Sequence, residues 1–387
     1  MPVLNRIAGY ADEMQQWRRW LHRNPELGLE LPRTAAFVAE RLREFGVDEL
    51  HEGYAQTGMV ALIRGQAEGP VIGLRADMDA LPILEETGVE HTSETRGNMH
   101  ACGHDGHTTM LLGAARYLAE TRRFAGTVAL IFQPGEELGG GGKVMCDQGI
   151  MERFGITEVY ALHNSPDMEE GRFATRKGPM MAAVDDFAIT IRGVGGHAAW
   201  PEHCVDPVAA AVQLVSALNA IPARNLSAFD NAVLSVTQIS VGSATNVIPA
   251  EGFVAGTLRT FSRAVRDKIR ARIEEICQGT GTAMGVEVTL EYTEDYPATV
   301  NHPEQTDFAV EVAREVVGPD KVDPDWPAEM GAEDFSFMLE ARPGAYLFLG
   351  QGVGPRCHHP KFDFNDEVAP IGASFFARIA ERALPLE

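Results

Sequence analysis

Apolar runs that read as β-strands alternate with segments of helical spacing up to about residue 183; the alternation then stops, and it resumes near residue 297. Strands separated by helices need crossover connections, so such a chain builds a largely parallel sheet. Helical spacing covers 4–22 and 32–46, and Asn24-Pro25 and Leu31-Pro32 break the chain between them. The runs 59–64 and 71–76 read as strands, 107–121 as a helix and 127–133 as a strand, and the run 157–162 leads straight into His163. From 184 the order becomes strand 184–193, helix 206–220, strands 232–242 and 252–260, helix 263–280 and strand 285–293. This βαββαβ order suggests a ferredoxin-like sandwich of one sheet and two helices. Afterwards come a helix at 304–317, a short one near 334–340, a strand at 345–349 and a last helix near 367–384. The expected fold is therefore α/β. A discontinuous domain, 1–183 and 297–387, holds a central, mostly parallel sheet flanked by helices, and a smaller domain, 184–296, is inserted into it. The length of 387 residues agrees, because single cores stop growing near roughly 250–300 residues.

The net charge of −22 repels phosphate backbones and anionic lipid, which argues against nucleic-acid and membrane partners. It leaves room for a local basic group that receives a carboxylate. The N-terminus has no basic segment followed by an apolar run, so no signal peptide is expected. No stretch approaches the roughly 18–20 apolar residues of a membrane span. The five cysteines, Cys102, Cys146, Cys204, Cys277 and Cys357, are odd in number and scattered. That usage points to the reducing cytoplasm rather than to a disulfide framework.

Four segments carry the candidate chemistry. Met99-His100-Ala101-Cys102-Gly103-His104-Asp105-Gly106-His107 concentrates three of the chain's 12 histidines with a Cys and an Asp. Thiolate and imidazole suit zinc and its neighbours. Gln133-Pro134-Gly135-Glu136-Glu137 follows a strand, where open α/β sheets place their ligand crevices. Adjacent side chains there point in different directions. One Glu can hold a metal while the other takes a proton from water. In isolation such a pair reads as a solvated loop. His163 ends an apolar strand and taken alone reads as structural. The segment Cys357-His358-His359-Pro360 offers two histidines, and spacing does not choose between them.

Together these segments resemble the aminoacylase and hippurate hydrolase branch of the di-metal metallopeptidases, which also includes indole-acetyl-amino-acid hydrolases and carboxypeptidases. The likeness extends to Leu21-His22-Arg23-Asn24-Pro25-Glu26-Leu27, Arg75-Ala76-Asp77-Met78-Asp79-Ala80-Leu81-Pro82, Gly195-Gly196-His197-Ala198-Ala199-Trp200-Pro201 and His359-Pro360-Lys361-Phe362-Asp363-Phe364-Asn365-Asp366-Glu367. The resemblance implies a metal-dependent hydrolase of N-acyl amino acids with two divalent ions, zinc, manganese, nickel or cobalt. By position it implies that Cys102 bridges the ions, and that His104, Glu137, His163 and His358 complete their coordination. Glu136 is then the general base and acid. It also implies that His197 stabilises the oxyanion in the partner subunit's site and that Asn246 and Arg259 hold the substrate carboxylate. The implied assembly is a homodimer through the inserted domain, or a dimer of such dimers. Asp77-x-Asp79 stands where the wider superfamily has His-x-Asp, which leaves two readings of these acids, orientation of a ligand or a buried structural carboxylate.

Three other readings compete. A carboxypeptidase acting on dipeptides would use the same centre. A non-catalytic metal protein has no use for a spare Glu, because structural zinc sites are closed. A cysteine hydrolase would use Cys102 with a nearby His.

Overall fold

The computed structural model describes residues 4–386. It divides into two compact units, Met1–Met180 with Thr299–Ala328 and Asp334–Glu387, and Met181–Ala298 with Glu329–Glu333.

The first unit is built on an eight-stranded sheet. Its four middle strands are parallel and lie in the order Ala125–Gln133, Ala67–Asp77, Ile156–Ser165, Gly344–Gly350. Gly58–Arg64 and Glu49–Tyr54 extend one side antiparallel. Phe173–Ala174 and Val322–Asp323 extend the other. The middle strands read as nearly continuous apolar runs because a parallel sheet is covered on both faces; every residue of Gly344–Gly350 is buried. The helix His104–Thr121 is buried almost all round. It packs against the helices Ala11–Arg23 and Ala369–Ala383. The last contact is close enough that a Cβ at Gly372 would stand 2.0 Å from the Met110 sulfur.

Several boundaries differ from the expectation. The helix expected over 4–22 is two, Asn5–Ala8 and Ala11–Arg23, separated at Gly9-Tyr10. The helix expected from 107 begins at His104, because Gly103 adopts φ +97° and starts it earlier. The strand Glu49–Tyr54 and the helix Gly141–Asp147 were not anticipated. The former is a half-exposed outer strand without a continuous apolar run, and the latter opens on glycines of low helix propensity.

The second unit holds a four-stranded antiparallel sheet in the order Ala232–Val241, Glu251–Thr260, Ala183–Arg192, Glu287–Glu294. Phe187, Ile189 and Ile191 alternate onto one face and share a core with the helices Pro207–Asn225 and Arg263–Met284. Both helices are capped in the usual chemistry: Asp206 accepts from the Val208 N–H and Ser262 from the Val265 N–H. A short ribbon pairs Gly196–His197 with Val247–Ile248. Among the described residues, no helix is long and apolar enough to cross a membrane.

Candidate metal centre

The parallel strands of the first unit bring the candidate donors together by ending on one side. Asp77 closes Ala67–Asp77, Gln133 closes Ala125–Gln133 just before Glu136 and Glu137, and His163 stands near the end of Ile156–Ser165. The segment after Gly344–Gly350 carries His358, and Cys102 lies two residues before the helix that starts at His104. Carboxyl ends of parallel strands are where such sheets bind ligands.

Of the donor groups that converge there, two share Cys102. Cys102, His104 and His163 place one ligand atom each within 4.8 Å of one another, and so do Cys102, Glu137 and His358. Cys102 belongs to both. Its Sγ is 3.4 Å from His163 Nε2. His358 Nε2 stands 3.0 Å from Glu137 Oε1, yet that oxygen and both ring nitrogens of His104 are buried without a hydrogen bond. Buried donors crowded together with the Glu137 oxygen and both His104 nitrogens left unbonded fit a shared cation, and the mixed S, N and O set suits zinc and its neighbours. Glu136 also lies within 4.8 Å of His104 and Glu137 through its carboxylate, but outside both triads.

The protonation states follow from the surroundings. Burial pushes His163 well below the usual histidine range, so its ring is neutral. Its Nδ1 donates to the Asn164 carbonyl at 2.7 Å, which leaves the Nε2 lone pair facing Cys102. Burial opposes a charge on His104, but Asp77, Asp79 and Glu137 outweigh it and raise this group well above its ordinary value. The Cys102 thiol is pushed up by the Cys357 thiol, by burial and by the two glutamates. His358 is raised by the Glu137 carboxylate.

The two acids left open by the sequence have distinct tasks. Asp79 accepts from the backbone N–H of Glu136 and of Glu137, both at 3.0 Å, and its Oδ1 faces His104 Nδ1 at 3.3 Å. It thereby holds the peptide of both glutamates. Asp77 accepts from Arg75 at 2.7 Å and faces His107 Nδ1 at 2.6 Å; His107 Nε2 meets Asn164 Oδ1 at 2.7 Å. Gly103 makes room for that amide: a Cβ there would stand 2.1 Å from Asn164 Oδ1. The three histidines of one motif thus separate. His104 joins the donors, His107 is locked between Asp77 and Asn164, and His100 is buried with both nitrogens unpartnered and lowered by burial to about 3. His359 turns away, its Nδ1 accepting from the Lys361 N–H. Sequence reading gave Arg75, Gln133, Asn164 and Asp334 no role, although Arg75 also bonds Gln133 at 2.9 Å and Asp334 at 2.9 Å beneath the centre. The available signal was an Arg placed two residues before Asp77 inside the otherwise apolar run 71–76.

His197, Asn246 and Arg259 lie in the second unit. His197 is exposed, with its ring 4.6 Å from that of Trp200, and the Asn246 carbonyl accepts from the Ala198 N–H at 3.0 Å. Arg259 is at the far end of its strand, opposite Val184, whereas Glu251 pairs with Arg192 near the His197 ribbon. Burial lowers the Arg259 guanidinium, against the pull of Asp186, Asp185 and Asp295. Eight strand positions separate Glu251 from Arg259, roughly 27 Å.

The family model described as "Peptidase family M20/M25/M40" matches residues 73–382. The chain belongs to this family. It is 38% identical over 384 residues to the hippurate hydrolase of Campylobacter jejuni, covering 99% of this chain and 100% of that one. It is also 38% identical to thermostable carboxypeptidase 2 of Saccharolobus solfataricus, with 98% of each covered. A solved Bacillus subtilis structure, described as a dinuclear metal-binding peptidase of the M20 family, superposes with a TM-score of 0.86 at 31% identity, over 97% of this chain and 99% of that one. This M20-family chain is a hydrolase of the amidohydrolase type.

Proposed function

We propose that this hydrolase cleaves the amide bond of N-acyl-L-amino acids, giving a carboxylate and a free amino acid. Cys102, His104 and His163 would hold one divalent cation, zinc, manganese, nickel or cobalt, and Cys102, Glu137 and His358 would hold a second. The observation that supports this most is the sharing of one sulfur between two donor triads, with the carboxylate of Glu136 beside them and in neither. Two cations in these positions would supply Lewis acidity toward the acyl carbonyl and acidify water.

Glu136 takes the proton of the attacking water and returns it to the leaving nitrogen. His197 donates to the oxyanion as charge develops. Arg259 grips the substrate carboxylate in a bidentate fork, and Asn246 adds a donor. Within one subunit Arg259 stands at one end of the four-stranded sheet and the separate ribbon of His197 lies by the other end, too far apart for a single small substrate. That separation supports a homodimer in which the partner subunit's His197 completes each site. The strand Ala232–Val241 has one sheet neighbour and an exposed Ile239, and the exposed Phe229 just before it and Val212 of the helix Pro207–Asn225 add apolar surface suited to such pairing. The five cysteines are all free, in keeping with a cytoplasmic location.

A thiol mechanism is disfavoured, because the Cys102 sulfur is buried among the metal donors rather than open to substrate; activity that survives complete metal removal would favour it. The equal identity to a carboxypeptidase favours a second reading, a peptide in place of the simple acyl group. A panel of acetyl, benzoyl and dipeptidyl amino acids separates the two. The proposal expects the highest kcat/KM on an acyl amino acid, and preference for dipeptides would replace it with the second reading.

A further inference from the structure

His358 is the most strained of the proposed ligands and is weakly held by its own side chain. Its φ of +67° lies in the left-handed region, which is unfavourable for a residue with a side chain. Such a conformation persists only where the surroundings impose it. The side chain is 53% exposed, so ring packing does not impose it. The constraint comes from the chain on either side. The His358 N–H donates to the Ala101 carbonyl at 2.7 Å, which ties this segment to the one carrying Cys102. Downstream, Phe362 and Phe364 are buried, and the acids Asp363 and Asp366 both reach Arg18.

Arg18 is almost completely buried on the helix Ala11–Arg23. Its Nη1 donates to Asp363 at 2.8 Å and its Nε to Asp366 at 2.6 Å. His91 Nε2 joins Asp363 at 3.1 Å, and Arg19 joins Asp366 at 3.0 Å. The same Arg18 Nη1 stands 3.7 Å from Asp105, which neighbours His104 in sequence and pairs with His22 at 2.8 Å. The helix of Arg18 therefore clamps the start of the His104 helix and the far end of the His358 loop. None of these partners belongs to either donor triad.

Resting on the metal-ligand assignment above, we propose that Arg18 is a positioning residue for His358: by pinning Asp363 and Asp366 it fixes the loop and sets the affinity of the Cys102–Glu137–His358 metal position in particular. Without the guanidinium fork, Asp363 keeps only His91 and Asp366 only Arg19, nothing joins the two acids to one buried group, and the loop relaxes toward solvent. His358 then swings away from Glu137. The Cys102–His104–His163 position draws its ligands from the strand Ile156–Ser165, the start of the His104 helix and Cys102 just before it; Asp105 at that helix start keeps its 2.8 Å partner His22 when the 3.7 Å contact to Arg18 is lost, so this position changes far less.

The test is zinc binding to the full chain, titrated at buffered free zinc and read as equivalents per chain, for wild type, Arg18→Lys, Asp363→Asn, His358→Ala and the double variant Arg18→Lys/His358→Ala. Lysine keeps the charge but loses the fork. The zinc that His358→Ala weakens should lose about 10-fold in affinity in Arg18→Lys, at the low end of what supports bonded directly to a ligand contribute, while the other zinc stays within about twofold. The double variant should bind no worse than His358→Ala alone, because both act on one position. Asp363→Asn, at a more exposed site, carries the test should Arg18→Lys not fold as judged by circular dichroism. Two wild-type affinities in Arg18→Lys or in Asp363→Asn, equal loss of both zincs, or losses that add to those of His358→Ala would overturn the proposal. If His358→Ala itself binds zinc like wild type, the ligand assignment falls, and this inference falls with it.

Discussion

Asp79→Asn changes one atom at the residue that holds both glutamates. The carboxylate accepts two backbone N–H groups at 3.0 Å each, one per oxygen. The amide keeps one acceptor, so one bond to a charged group is lost, worth roughly 1.5–3 kcal/mol. The new NH2 then faces a backbone N–H, and orphaned buried donors cost about 1–3 kcal/mol each. One term opposes these. Burial raises Asp79 above the usual carboxylate range despite His104, so the charge is held at a cost that the amide relieves. The net expectation is a loss of about 2–4 kcal/mol, measured by urea unfolding of the metal-free protein. The peptide of Glu136 and Glu137 should also move, and a displacement near 1 Å costs about 100-fold in turnover. Unfolding within about 0.5 kcal/mol of wild type together with unchanged kcat would refute the reasoning.

His22 gives a pH signature. Burial lowers it, but hydrogen bonds to Asp105 and Glu85 win and raise it to about 9. Its stabilising contribution is thus complete below its unfolded value of about 6.5 and is lost as pH rises through about 9. The stability difference between wild type and His22→Gln should shrink over that interval; a difference independent of pH would show that His22 does not titrate there. Mixing the inactive His197→Ala and Arg259→Ala proteins under subunit exchange should restore about a quarter of wild-type activity, since half the dimers are mixed and one of their two sites is intact. No recovery despite demonstrated exchange would place both groups in the same subunit's site or in neither.

Much of this was legible in the chain because strand ends are easy to read. The apolar runs ending at Gln133 and leading into His163 located two donor segments directly, and the middle strands form where those runs stand. The order of strands and helices between Ala183 and Glu294 was likewise readable from alternation such as Phe187, Ile189, Ile191. What was not legible depends on contacts between distant segments. Nothing local to Asp79 says that its oxygens meet the peptide of Glu136 and Glu137, 57 and 58 residues away. His100, His104 and His107 look alike in sequence, and only tertiary packing gives them three different fates. Arg18 reads as an ordinary polar helix residue until Asp363 and Asp366, more than 340 positions on, close over it.

The central claim is a pair of cations sharing one sulfur, with Glu136 kept for proton transfer. Elemental analysis beside turnover, on wild type, Cys102→Ala and Glu136→Gln, tests it most directly. The account predicts two divalent ions per chain in wild type, loss of both on removing the shared thiolate, and a Glu136→Gln protein that keeps both ions but loses turnover by about 100-fold or more. A Cys102→Ala protein that retains two ions, or a Glu136→Gln protein with near-normal activity, would contradict it.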